Sequence, residues 1–251
     1  TAAVIGMAAV LGLILAAILV AMPPGLPTGR KGAKFSEVFS KSPNINWLSA
    51  ARVALFGARD VWFVVGIPIY FYAVLSDGTE EGNRAAFFMI GTFMAVWIIL
   101  YGAVQAAAPR LLKAATRPKS ELIAAARGWA LTLALVPTAL TVAVAMAGEP
   151  TGWLTATLVA GLLVFGAIFA INSSLHSYLI LAFTQAERVT MDVGFYYMAN
   201  AGGRLIGTVV SGLTYQVGGL PLTLGTAAVM VGLAAWAAGH LRAGRSVPAS
   251  V

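Results

Sequence analysis

The chain has 251 residues, 59% of them apolar and only 10% charged, with a net charge of +7 and no cysteine. A soluble domain carries roughly a quarter of its residues charged, so the coat of a soluble fold is excluded. The lack of cysteine excludes thiol chemistry, disulfides and cysteine-ligated metals. The apolar residues run on without alternation, and lipid accepts only helices or closed barrels as spans, so the runs read as transmembrane helices of about 20 residues or more.

Seven spans are predicted in chain order: Ala2–Met22, Leu48–Leu75, Ala85–Ala108, Leu122–Ala147, Trp153–Phe183, Val193–Val217 and Leu220–Leu241. The first starts at once, with no basic leader or cleavage site that would mark a signal peptide. A span at residue 1 without a methionine reads as a piece of a longer protein. Residues 23–47 follow as a linker carrying Pro23, Pro24, Pro27 and Pro43 with Gly25, Gly29 and Gly32. Residues 48–241 then form six spans with short connections, among them tight turns at Gly148-Glu149-Pro150 and Gly218-Gly219. Residues 242–251 are a tail.

Charge in the connections alternates with the spans. Arg30, Lys31, Lys34, Lys41, Arg110, Lys113, Arg117, Lys119, Arg188, Arg242 and Arg245 share one side. The other holds Asp77, Glu80, Glu81 and Glu149, with Arg84 its only base. Positive residues mark the cytoplasmic side, so the C-terminus is expected in the cytoplasm. With most of the bases in these loops on one side of a membrane, no nucleic-acid partner is expected. One span, a cytoplasmic linker and six more spans is the rhythm of a transporter of two six-helix halves cut before its sixth helix. An intact seven-helix protein is the alternative.

Charged and polar side chains inside spans are functional candidates. In the second span Arg52 and Arg59 stand seven residues apart, about two turns, on nearly one face, and Asp60 follows. Arg52 lies nearer the cytoplasmic end, where it could snorkel. Arg59 and Asp60 either meet a substrate or form a structural ion pair with another helix. In the sixth span Tyr196, Asn200 and Arg204 recur every four residues, beside a track of Ala199, Gly203, Gly207 and Ser211. That small-residue track reads as a helix-packing surface. In the fifth span Asn172 and His176 lie one turn apart, and the histidine is either a proton relay or a hydrogen-bonded structural group. Of Trp62, Tyr70, Tyr72, Trp97 and Trp129, several lie near span ends and read as interface belts, and none is assigned chemistry.

Up to three intramembrane arginines thus face one carboxylate, Asp60. Guanidinium groups pair in bidentate fashion with phosphate, carboxylate or arsenate oxygens, so an anionic cargo is expected. Retinal photochemistry is excluded because all five lysines fall in loops. Ser173, Ser174, His176 and Asp60 match no hydrolase motif, so the chain reads as a transporter and not an enzyme. No metal or cofactor site is expected.

Three stretches carry a resemblance: Phe56-Gly-Ala-Arg-Asp-Val-Trp-Phe63 through Pro68, Asn172-Ser-Ser-Leu-His-Ser-Tyr-Leu-Ile-Leu181, and Val193-Gly-Phe-Tyr-Tyr-Met-Ala-Asn-Ala-Gly-Gly-Arg-Leu-Ile-Gly-Thr208 with Ser211-Gly212 and Tyr215-Gln216. Together they resemble the ArsJ organoarsenical efflux permeases of the major facilitator superfamily. The resemblance implies an all-α integral membrane fold: a C-terminal six-helix bundle plus the last helix of the N-terminal half, the rest of that half being absent. It also implies export of 1-arseno-3-phosphoglycerate, which glyceraldehyde-3-phosphate dehydrogenase makes from arsenate, and hence arsenate resistance. The residues themselves suggest Arg59 and Arg204 for the oxyanions, Asn200, Tyr196 and Asn172 for neutral hydrogen bonds, and Arg52 for contact on the cytoplasmic side. Asp60, with His176 second, is the candidate for proton coupling. The alternative cargo is another organic anion, a carboxylate or a sugar phosphate.

Overall fold

A computed structural model describes residues 2–22, 40–185 and 188–243. The chain divides into two units, Thr1–Phe35 and Ser36–Val251. In the first, α1 (Ala2–Ala21) is a 20-residue apolar helix whose described side chains are exposed. Residues 23–39 of the predicted linker lie outside the described residues. The linker's last residues are not loop: α2 (Pro43–Val61) begins at Pro43, five residues before the predicted start. Proline suits the first helical turn because its missing N–H would have no partner there.

The second predicted span is one rod with a change of register. After α2 comes a π-helical turn, Trp62–Gly66, and then α3 (Ile67–Leu75). Pro68 cannot donate to the carbonyl four residues back, and its ring crowds that carbonyl. The chain widens just ahead of it, and the Ile67 N–H reaches back five residues to Trp62 O. The Gly66 position is crowded: a Cβ there would lie 2.8 Å from Thr223.

Thr79 opens α4 (Glu80–Leu111) by accepting the Gly82 N–H, with Glu80 and Glu81 in the first turn. Then come α5 (Lys119–Ala147) and α6 (Gly152–Phe183), separated by Gly148 at a positive φ of 68°. Thr151 caps α6 by accepting from the Leu154 N–H. The last element, α7 (Val189–Ala238), is broken at Gly218 and Gly219, where the dihedrals leave the helical region. Thr214 and Thr223 flank the break with their hydroxyls 3.3 Å apart. In a straight helix nine residues span about 13 Å, so the chain turns back on itself where the sequence places a turn.

Five stretches of the described residues, Pro43–Leu75 and α4 to α7, are long and apolar enough to cross a bilayer. The protein is an all-helical, multi-pass membrane protein. Cross-bundle bonds sort the second unit into two ends. At one, Asn44 exchanges hydrogen bonds with the Arg242 backbone, Trp47 stacks on His240 at 4.2 Å, and Lys119 donates to Ala182 O at 2.6 Å. Lys119 thereby satisfies a carbonyl left unpaired at the C-terminus of α6. Asp192, buried in the first turn of α7, accepts from Ser40 and Thr184 at the same end. Arg127, placed by sequence inside a span, lies beside Gly239 there. At the other end the Tyr70 and Thr155 hydroxyls meet at 3.4 Å. Among the described connections, the basic ones lie at the first end and the acidic ones at the second.

The aromatic reading needs correction. Trp62 and Trp97 are no interface belt: both are buried in the core with Phe165 and Phe169. Trp97 Nε1 donates to Leu162 O at 2.8 Å, and its ring lies 3.0 Å from where a Cβ would stand on Gly166. A tryptophan can occupy such a core when its N–H finds a partner, which Trp97 does. Tyr70 is buried too, whereas Tyr72 is exposed.

Candidate functional site

The site is built where α2 crosses the first arm of α7. Gly203 and Gly207 allow backbone contact: a Cβ on Gly203 would sit 2.4 Å from Val53 O, and one on Gly207 2.5 Å from Gly57 O. Ser211 continues the same buried line. The small-residue track is therefore a packing surface, as its spacing implies. Residues beside the track are drawn within reach of α2.

Arg204 is one of them, and its partner is Asp60. Asp60, only 2% exposed, accepts from Arg204 Nε at 3.1 Å through Oδ2 and from Arg59 Nε at 2.6 Å through Oδ1. One carboxylate is shared by two guanidinium groups on different helices, which leaves one positive charge over. Arg59 is 12% exposed and Arg204 is 58% exposed. The cluster is sealed on the Asp60 side and open at Arg204.

Arg59 also sits among aromatic faces, with its Cζ 5.2 Å from the centre of Phe56, 5.7 Å from Phe169 and 5.8 Å from Phe63. These rings offer the cation their negative faces and keep water from one side of it. Fewer of its N–H groups are spent on hydration, which leaves them for an anion.

About two turns toward the basic end, Arg52 has a different setting. The expectation that it might snorkel is wrong, because it is 4% exposed. Its Nη1 donates to Ser173 O at 3.1 Å and to Ser173 Oγ at 3.0 Å. The guanidinium lies 4.0 Å from the centre of Phe56 and 4.9 Å from that of Tyr196. No carboxylate forms an ion pair with it among the described residues. Both arginines stack on the one ring of Phe56, so their charges are less than roughly 10 Å apart. At an effective dielectric near 20 that proximity costs about 2 kcal/mol, and a bound anion would relieve it.

Several buried polar atoms on α2, α6 and α7 have no hydrogen-bond partner among the described residues. They include Arg52 Nε, both side-chain atoms of Asn172, both ring nitrogens of His176 and Asn200 Oδ1. Asn172 and His176 are fully buried, so His176 holds neither of the structural hydrogen bonds that would explain it. Such groups each cost about 1–3 kcal/mol unless something binds them.

The structure thus brings Arg59, Asp60 and Arg204 into one cluster. Arg52 and Tyr196 form a second contact set with Ser173, with His176 and Asn172 on the adjoining stretch of α6. Sequence reasoning missed Phe56, Phe169 and Gln105, whose amide reaches Ser173 Oγ at 3.5 Å from α4. Gln105 is polar in an apolar span and one turn from Tyr101, which was a legible signal. The role of Phe56 depends on a partner helix and was not. Among the described residues no group of three potential ligands could hold a metal.

Comparison with known proteins adds no relative: no family model, no curated protein and no solved structure matches this chain.

Proposed function

We propose that the chain is part of a secondary transporter of the major facilitator type that exports an organic arsenical anion, 1-arseno-3-phosphoglycerate. One observation carries the anion: two arginines from two helices share the single carboxylate of Asp60 and keep a surplus positive charge inside an apolar bundle. The arsenical itself rests on the resemblance to the ArsJ permeases. The open side of Arg204 would face the other half of a two-half transporter, where alternating access presents one site to each side in turn. The basic end would lie in the cytoplasm of a bacterial inner membrane, with the C-terminus.

Substrate oxyanions and Asp60 compete for the same guanidinium forks. An anion that takes Arg59 and Arg204 leaves Asp60 without its partners, which ties the state of this carboxylate to the presence of cargo. This makes Asp60 the coupling group, with His176 second. Asn200, Tyr196 and Asn172 supply neutral hydrogen bonds.

The test is arsenate efflux from cells expressing the complete gene, with and without a glyceraldehyde-3-phosphate dehydrogenase. Efflux that needs both proteins, and that drops at least ten-fold in Arg59→Lys and Arg204→Lys, is expected. Efflux indifferent to the dehydrogenase would instead point to another organic anion. Full resistance in both lysine variants would remove the arginine clamp.

A further inference from the structure

The basic end of the bundle carries a cavity of about 510 Å3 between the start of α2 and the end of α7, lined by Pro43, Asn44, Trp47, Gly239, His240 and Arg242. Its volume falls within the range of small-molecule sites, and local bonds fix its walls. Asn44 Nδ2 donates to Arg242 O at 2.8 Å and Asn44 Oδ1 accepts the Arg242 N–H at 2.9 Å, which holds the residues after α7 against the first turn of α2. The Trp47 ring stacks on His240 at 4.2 Å, and His240 Nδ1 donates to Trp236 O at 2.9 Å. Gly239, having no Cβ, leaves room for Arg127 of α5, whose Nε lies 3.4 Å from where that atom would stand.

One guanidinium group thus lines the cavity and a second borders it at Gly239. Neither Arg242 nor Arg127 has an ion pair with a carboxylate among the described residues. Arg127 is exposed about 12 Å inside α5, counted from Lys119, and an arginine at such depth in a span is costly unless it reaches an anion or water. Beside the cavity Trp236 is 57% exposed, edge-on to Trp47 at 5.2 Å and to His240 at 4.7 Å. Exposed tryptophan suits the level of lipid headgroups, and a basic pocket between helices at that level matches a lipid phosphate. A free phosphate would have no use for the aromatic side. We propose that this cavity binds the headgroup of an anionic phospholipid, with Arg242 and Arg127 on the phosphate and Trp47 and Trp236 beside the glycerol and upper acyl chains. The site shares no residue with the Arg59–Asp60–Arg204 cluster and does not rest on the transport reading.

The experiment is native mass spectrometry of the purified complete protein in detergent, titrated with phosphatidylglycerol or with phosphatidylcholine. The first phosphatidylglycerol is expected to bind at least five-fold tighter than phosphatidylcholine, and inorganic phosphate should not displace it. Arg242→Gln and Arg127→Gln should each weaken phosphatidylglycerol about five-fold and leave phosphatidylcholine unchanged. Arg117→Gln, which removes a charge from the same end outside the cavity, should change neither. The two cavity arginines follow different helices, so either variant tests the site if the other does not fold. Equal binding of the two lipids by wild type overturns the proposal, as does unchanged phosphatidylglycerol affinity in the cavity variants. A loss in Arg117→Gln as large as theirs would show attraction by general surface charge and no site. Displacement by inorganic phosphate would show a free-anion site in place of a lipid site.

Discussion

Arg52 and Arg59 stand two turns apart on one helix and touch the same phenylalanine ring, yet their surroundings differ in kind. Arg59 has a carboxylate beside it, shared with Arg204 of another helix, and the shared cluster opens at Arg204. Arg52 is closed in, bonded to a serine, set between the rings of Phe56 and Tyr196, and paired with no carboxylate among the described residues. The lesson is that a mid-span arginine has no fixed meaning. Its role depends on what stands beside it: Arg59 has Asp60 as its neighbour in the chain and Arg204 of α7 on the same carboxylate, while Arg52 meets Ser173 of α6 and Tyr196 of α7.

The largest expected effect comes from separating the helices that create the contrast. Gly203→Leu forces a side chain into Val53 O and should abolish α2–α7 packing, at more than about 3 kcal/mol. Loss of the monodisperse peak in size-exclusion chromatography would report it, and a normal peak would mean that the close approach is dispensable. Next is Asp60→Asn. Breaking a buried pair costs about 3–5 kcal/mol, and the exposure of Arg204 argues for the lower end. Thermal unfolding in detergent should show the drop.

Arg52→Met probes the other half of the comparison. It removes a buried charge with no carboxylate partner among the described residues but also gives up the bonds to Ser173 and the faces of Phe56 and Tyr196, so the loss should stay well below that of Asp60→Asn, at under about 2 kcal/mol. A loss as large as that of Asp60→Asn would mean that Arg52 has a compensating partner after all.

The smallest effect lies outside both regions, in the connection before α4. The side chain of Thr79, and then its backbone N–H, donate to Asp77 and hold that carboxyl below its ordinary value. A depressed carboxylate stabilises the fold above its unfolded pKa and loses that contribution as pH falls through the folded one. The difference in melting temperature between wild type and Asp77→Asn should be small at pH 7 and shrink further below about pH 4. A difference that grows on acidification would contradict the assignment.

Much of this architecture was legible in the residues. Apolar runs marked the helices, Gly218-Gly219 marked the reversal, and alternating loop charge foretold the basic and acidic ends. Within α7, the spacing of Gly203 and Gly207 announced a packing face, and Arg204 fell beside it. What the residues alone left open was pairing between helices. Asp60 has no preference in sequence for Arg204, and only the glycine-lined approach of α7 joins them. Arg52 reads as a snorkelling residue because its distance from a span end is visible and its cover by α6 is not. Trp62 and Trp97 misled for a similar reason: position along a span says nothing about which side of the helix meets the core. The π-helical turn could have been anticipated from Pro68, whose effect on the preceding turn is local.

The account stands most directly on the surplus positive charge shared around Asp60. Titration of the purified protein with propylphosphonate, comparing wild type with Arg204→Gln, tests it. Saturable binding in wild type, weakened at least ten-fold by the substitution, is the predicted result. Equal affinity in the two proteins would show that the Arg59–Asp60–Arg204 cluster is only a structural ion pair.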